Sequence, residues 1–248
     1  MLTFLIPTAK EMAAPEQTYP HHVSVKTQTL ITHLSQKSPE ELAELYRIKP
    51  AAALLEFERW QTAQKGKAAA YPAIALFNGL MYRQIKTDFT AKQEKLSRVY
   101  ITSALYGVIP AEQPIVPHRL DFNFKLEIEG SSLKNYWRGE YDHFAQKQDT
   151  IISLLSAEFA AVFSPEQRKQ FISLEFVEEK DGHLKKHSTI SKKARGQLLT
   201  QALKENCQTV EELKGLNFFG FSYCPHLSTN KQLVFIKTAA ASNIQKTT

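Results

Sequence analysis

Only two cysteines, Cys207 and Cys224, stand among 248 residues. That is too few for the disulfide framework on which small secreted domains rely, and both read as ordinary buried thiols. Glycine is scarce too, with nine in the chain, which leaves little material for a glycine-rich cradle around a nucleotide phosphate. There is no G-x-S-x-G elbow, Walker loop, G-x-G-x-x-G or H-E-x-x-H motif. The common signatures of esterases, nucleotide hydrolases, dinucleotide enzymes and zinc proteases are therefore missing. Apolar runs such as Ala51–Leu55 are short, far below the ~18 residues of a membrane span. Met1–Pro7 has neither a basic leader nor a signal-length apolar stretch, so a cytoplasmic location with no membrane partner is expected. His21 and His22 lack a third ligand nearby, and Lys185 and Lys186 lie between His183 and His187, where their charge repels a cation. No metal site and no cofactor are expected.

What remains is ordinary globular composition, 43% apolar and 23% charged. A chain of this length buries roughly 70–75% of its unfolded surface, and with no linker or repeat in view, one α+β domain over residues 1–248 is expected. Leu2–Ile6 reads as a buried strand ended by Pro7. Ser38-Pro39-Glu40-Glu41 is a helix start with a capping box, and Pro50 opens a second helix. Together residues 38–61 form a helical hairpin turning at Ile48-Lys49-Pro50. Helices are expected over Ala69–Phe77, over Ala91–Tyr106 with Gly107 as its cap, and over Lys134–Gln148. Residues 108–122, with Pro110, Pro114 and Pro117, must be extended or turning. Thr150–Leu155 reads as a buried strand. Phe171–Ile190 alternates like a hairpin around Asp181-Gly182, followed by a helix from Ser191 to about Asn206, so residues 171–206 form one basic hairpin-and-helix element. Phe218–Tyr223 and Leu233–Lys237 complete the strands. Strands at both ends of the chain imply one shared sheet.

The charge is local. The chain carries a net +6, and Lys180–Arg195 holds six cations against one acid, nearly the whole excess on sixteen residues. Lys192, Lys193 and Arg195 fall in the first turn of the expected helix. There the helix dipole opposes cations by roughly 0.3–1 kcal/mol, unless an anion joins them at the free N–H groups. A solvated basic helix start is the alternative. Arg119, after three prolines, either presents a guanidinium to an anion or ties to a carboxylate such as Asp121. Trp137, flanked by Tyr136 and Arg138, offers either a stacking face for an unpaired base or simply core. Lys10 lies just past the first strand, where open α/β sheets bind ligands, or is a plain surface lysine. Lys49 sits in the hairpin turn, which contacts DNA phosphates or merely packs. Crowded cations lower one another's pKa, so Lys192 or Lys193 is a candidate catalytic lysine.

Six blocks, Thr102–Val108, Pro117–Leu120, Tyr136-Trp137, Ser153–Phe159, Ser191–Gly196 and Leu233–Phe235, resemble the YaaA family of peroxide-stress proteins, in order over almost the whole chain. The resemblance implies a single-domain mixed fold, a central mixed sheet surrounded by helices, with a helix-hairpin-helix element on Ser38–Gln61. It further implies a positively charged cleft, binding to DNA duplexes, and a role in limiting free iron and oxidative DNA damage under hydrogen peroxide. Matched by residue, the family's Pro-Ala-Lys falls on Pro7, Ala9 and Lys10, its arginine on Arg119, its aromatic pair on Tyr136-Trp137 and its basic block on Lys192–Gly196. Phe77-Asn78-Gly79-Leu80 stands where many members have Phe-Lys-Gly-Asp, and Ile109-Pro110-Ala111 replaces a Leu-Arg-Pro segment. No established reaction comes with the family. The expectation is a monomeric protein that binds double-stranded or distorted DNA through Lys10, Lys49, Arg119, Lys192, Lys193 and Arg195, with Trp137 stacking. The alternative is a glycosylase- or lyase-like enzyme with a lysine nucleophile.

Overall fold

A computed structural model describes residues 1–85, 93–180 and 182–238. Its centre is a nine-stranded mixed sheet. The strands are β1 (Leu2–Pro7), β2 (Val99–Ser103), β3 (Gly107–Pro110), β4 (Thr150–Ser153), β5 (Ile172–Lys180), β6 (His183–Lys185), β7 (Asn217–Phe218), β8 (Phe221–Tyr223) and β9 (Gln232–Lys237). Their order is β7-β8-β9-β5-β4-β1-β2-β3, with β6 paired to β5. β1 runs parallel to both β2 and β4, pairing Ile6 with Ile101 and Phe4 with Ile152. A strand with parallel partners on both edges and layers on both faces needs a continuous apolar run rather than alternation. Leu2–Ile6 supplies it, every residue buried. β1 and β9, from the two ends of the chain, share the sheet as expected, separated by β4 and β5.

Ten helices are described: α1 (Val25–Ser35), α2 (Pro39–Tyr46), α3 (Pro50–Gln64), α4 (Ala73–Leu76), α5 (Tyr82–Ile85), α6 (Leu133–Gln146), α7 (Ala157–Ala160), α8 (Pro165–Arg168), α9 (Ser188–Lys204) and α10 (Val210–Lys214). The fold class is α+β. The α2–α3 hairpin forms as read: Ser38 and Glu41 make both halves of the capping box, and Pro39 and Pro50 open the two helices. The Trp60 indole N–H donates to the Tyr46 hydroxyl at 3.0 Å, tying the helices together. Two amides of the turn are not offered to a ligand, however. Arg47, left-handed at φ 51°, and Ile48 both spend their N–H groups on α2 carbonyls.

Three sequence expectations are corrected. Residues 69–77 do not make one helix: Tyr71-Pro72 pairs with Pro114-Ile115, leaving a single turn at α4. Of the helix expected over 91–106, residues 91–92 lie outside the described residues. Gln93–Arg98 is a 3₁₀ turn, and Val99–Ser103 becomes β2. Its Val, Tyr, Ile and Thr side chains favour a pleated, buried surface, and pairing with β1 decides the matter. Gly107 then opens β3 at φ +79°, pressed against the Trp137 ring. Finally, α9 starts at Ser188 with His187 before it, not at Ser191, which places Lys192, Lys193 and Arg195 beyond its first turn. Asp181 of the expected hairpin turn lies outside the described residues, while Gly182 takes φ +72°.

α9 packs closely on α5. A Cβ at Gly196 would strike the Met81 carbonyl oxygen and lie 2.8 Å from Gln84 Cβ, and Thr200 Oγ1 donates to the Gln84 carbonyl at 2.9 Å. Gly139 on α6 has nothing within 4 Å of such a Cβ. Gly196→Ala should therefore destabilise by ~1–3 kcal/mol through overpacking despite its better helix propensity. Gly139→Ala should stabilise by up to about 1 kcal/mol. Urea denaturation of both variants checks this; equal effects would mean that the α9–α5 contact is loose.

Candidate functional site

The parallel arrangement of β1, β2 and β4 sends the segments after their C-terminal ends to one side of the sheet. Thr8, Ala9, Lys10 and Met12, following β1, line a crevice with Phe77 and with His118, Arg119, Leu120 and Asp121. The far wall is held down by the Tyr82 hydroxyl, which donates to the Pro7 carbonyl at 2.7 Å. Gly79 lies so close that a Cβ there would sit 2.8 Å from Ala9 Cβ. The enclosed volume is about 10 Å³, room for one water.

The charges at the mouth are arranged around Asp121. Lys10 Nζ lies 3.4 Å from Asp121 Oδ2, the lysine side chain 64% exposed and the aspartate 13%. Glu158, on α7 just after β4, accepts a hydrogen bond from the Asn123 amide, while its Oε1 is buried with no partner. Burial pushes the Glu158 carboxyl above the usual carboxylate range; the Asp121 charge adds to this, while Lys10 and Lys134 oppose it. Two carboxyl groups in differing environments beside an amine are the ingredients of acid–base chemistry.

Behind this mouth stands the hairpin. Arg119 gives its backbone N–H to the Glu56 carboxylate, and its own Nε is buried without a partner. Glu56 also pairs with Arg59 at 2.6 Å; burial still raises its carboxyl. His118 is fully enclosed. Its Nδ1 lies 2.8 Å from the Val116 carbonyl and therefore carries the proton, and its ring meets Tyr106 edge-on at 5.4 Å. The Tyr106 hydroxyl in turn lies 3.0 Å from His21 Nε2.

Burial lowers the His118 pKa from 6.5 to about 4, with Arg59 and His21 adding repulsion and the Val116 hydrogen bond opposing. Between those values the unfolded chain binds a proton that the native imidazole refuses, so stability is present above pH 6.5 and lost as pH falls toward 4. The linkage is about 3 kcal/mol. His118→Gln should flatten the difference in urea stability between pH 7 and pH 4 by an amount of that order. An unchanged pH profile in a folded variant would contradict a neutral buried imidazole.

The sequence-derived candidates separate into groups. Lys10 and Arg119 line one crevice. Asp121, which sequence reading offered as a partner for Arg119, pairs instead with Lys10. Lys49 is exposed at the hairpin turn; Lys192 and Lys193 are exposed on α9, with no ion pair among the described residues. Arg195 is half-buried, its Nε unpartnered and its pKa lowered by burial. None of these four lines the crevice. Trp137 is 1% exposed and donates to the Ala104 carbonyl at 2.8 Å. It is core and cannot stack on a base, which corrects the stacking expectation. Glu158, Glu56 and His118 carried no functional reading in the sequence. Glu158 lies within the Ser153–Phe159 block, yet only the fold brings it to Asp121.

A family model described as Peroxide stress protein YaaA matches residues 2–227. A UPF0246 protein of Streptococcus pyogenes serotype M12 (strain MGAS2096) is 51% identical over 243 residues, 97% of this chain and 100% of the relative. UPF0246 proteins of serotype M3 (strain ATCC BAA-595 / MGAS315) and serotype M4 (strain MGAS10750) match at the same identity and coverage.

Proposed function

The chain belongs to the YaaA family of peroxide stress proteins, and we propose that it acts in the cytoplasm as a DNA-binding protein of the peroxide response. In this reading it is a monomer with a single domain. It holds duplex or distorted DNA by its phosphates and so limits oxidative DNA damage and free iron.

The observation that carries the reading is a set of exposed, uncompensated cations on one stretch of chain. Lys185 on β6 and Lys192 and Lys193 on α9 are all exposed and have no ion pair among the described residues. Lys186, in the same stretch, is already paired with Glu175 at 2.5 Å. Clustered unpaired lysines repel one another unless a polyanion lies across them. In the hairpin turn, exposed Arg47 and Lys49 offer two more charges. The Arg47 and Ile48 amides are spent on α2 carbonyls, so these two residues contribute through side chains alone. Such contacts position a duplex without reading its bases.

Fluorescence anisotropy with a labelled random-sequence duplex tests this. Lys192→Ala with Lys193→Ala should weaken binding more than about tenfold and make the logarithmic salt dependence shallower by about 1–2. Its melting temperature should stay within about 2 °C of wild type, since both side chains are exposed. Unchanged affinity in the folded double variant would overturn the assignment of the contact face.

A further inference from the structure

Of the lysines considered as nucleophiles, Lys192 and Lys193 stand on an open helix face, without an ion pair among the described residues. Lys10 differs. It follows β1 by three residues, at the carboxyl ends of parallel strands where open sheets place their ligands. Its amine is 3.4 Å from the Asp121 carboxylate. Glu158 is close enough for both Lys10 and Asp121 to act on it, and its Oε1 is buried with nothing to bond. Beside them Arg119 lines the crevice with its Nε likewise unbonded. The crevice lining holds no cysteine or serine, and Thr8 is its one hydroxyl residue. Imine formation with a carbonyl is the characteristic covalent chemistry of a primary amine.

We propose that Lys10 is a Schiff-base nucleophile for an aldehyde, with Asp121 and Glu158 as its proton acceptor and donor, and that the aldehyde is the open-chain deoxyribose of an abasic site in DNA. Asp121 takes a proton from the Lys10 ammonium, and the freed amine attacks C1′ to give a carbinolamine. Glu158, whose carboxyl burial shifts toward the protonated form, gives its proton to the departing hydroxyl, which leaves as water and yields the imine. The crevice has room for that one water, the molecule needed again for hydrolysis. The Glu158 carboxylate then removes a proton from C2′. The electron pair forms the C2′–C3′ double bond, and the C3′–O bond breaks with the 3′ phosphate as leaving group. Water hydrolyses the imine, restoring Lys10 and releasing an unsaturated aldehyde. No oxidant or reductant is consumed. The DNA source of the aldehyde rests on the DNA-binding reading above; the amine chemistry does not.

The test uses the full chain with sodium cyanoborohydride and two probes: a duplex carrying one abasic site, and 2-deoxyribose 5-phosphate. Adducts are mapped by peptide mass spectrometry, and a mobility shift on the intact duplex is run in parallel. The expected result is reduced adduct on Lys10 with the abasic duplex. It should be absent in Lys10→Ala and also in Lys10→Arg, which keeps the ion pair but loses the nucleophile. In Glu158→Gln it should form at least about tenfold more slowly at saturating protein. An adduct on Lys10 from the free sugar phosphate alone would overturn the DNA source. No adduct, or adducts confined to Lys192, Lys193 or other exposed lysines, would overturn Lys10 as the nucleophile. Failure to shift intact duplex would count against the DNA-binding reading alone.

Discussion

β1 lies between two parallel neighbours, and that placement fixes where the crevice-lining segments leave the sheet. Its paired edges and covered faces leave Phe4, Leu5 and Ile6 without exposure, so the strand cannot shift register without moving its entire apolar run. The chain leaving Pro7 must therefore emerge where the segment after β4 also emerges. Lys10 comes from the first of these exits and Glu158 from the second. The extended segment with Pro114 and Pro117 delivers Asp121 between them. Residues far apart in the chain meet because the sheet admits only one arrangement of its central strands.

Two kinds of positive charge result, with different physical standing. Lys185, Lys192 and Lys193 are exposed and have no ion pair among the described residues, so in the proposed reading they are the ones that meet an extended anion. Lys10 is held by a specific carboxylate at the mouth of a crevice, beside a second carboxyl that burial keeps from ionising at its ordinary pH. In the proposed reading the first group holds a polymer, whereas the second acts on one atom of it. Arg195 fits neither group: it is half-buried beside Gly196, in the helix that grips α5, with its Nε unsatisfied.

Much of the fold was legible where local signals and burial agree. Ser38 with Glu41, the two prolines opening α2 and α3, and the apolar runs of β1 and β4 all appear where their patterns place them. The misses have physical causes. Val99–Ser103 has apolar residues that fit either period over a short window, and only pairing with β1 makes it a strand. The start of α9 was misplaced by four residues because Ser191 is a good cap in isolation, whereas the helix begins behind His187, whose side chain makes no cap bond. The site was less legible. Lys10 and Arg119 were recognisable as cations in suitable places, but the choice of Asp121 for Lys10 over Arg119 is a matter of tertiary geometry. Glu158 gave no signal, because an isolated glutamate in a helix start reads as ordinary surface. Trp137 misled because an aromatic beside an arginine suggests stacking until its indole is seen bonded to Ala104 and packed on Gly107.

The site as described turns on Glu158, half-buried with its Oε1 enclosed and unpartnered, beside Asp121. Its most direct test is a carboxyl ¹³C titration of glutamate-labelled protein, with the Glu158 resonance identified by its loss in Glu158→Gln. The account predicts a midpoint clearly above the ordinary 4.5, because desolvation and a neighbouring negative charge both disfavour the carboxylate. A midpoint at or below that value would mean a solvated, fully ionised side chain and would contradict the site as described.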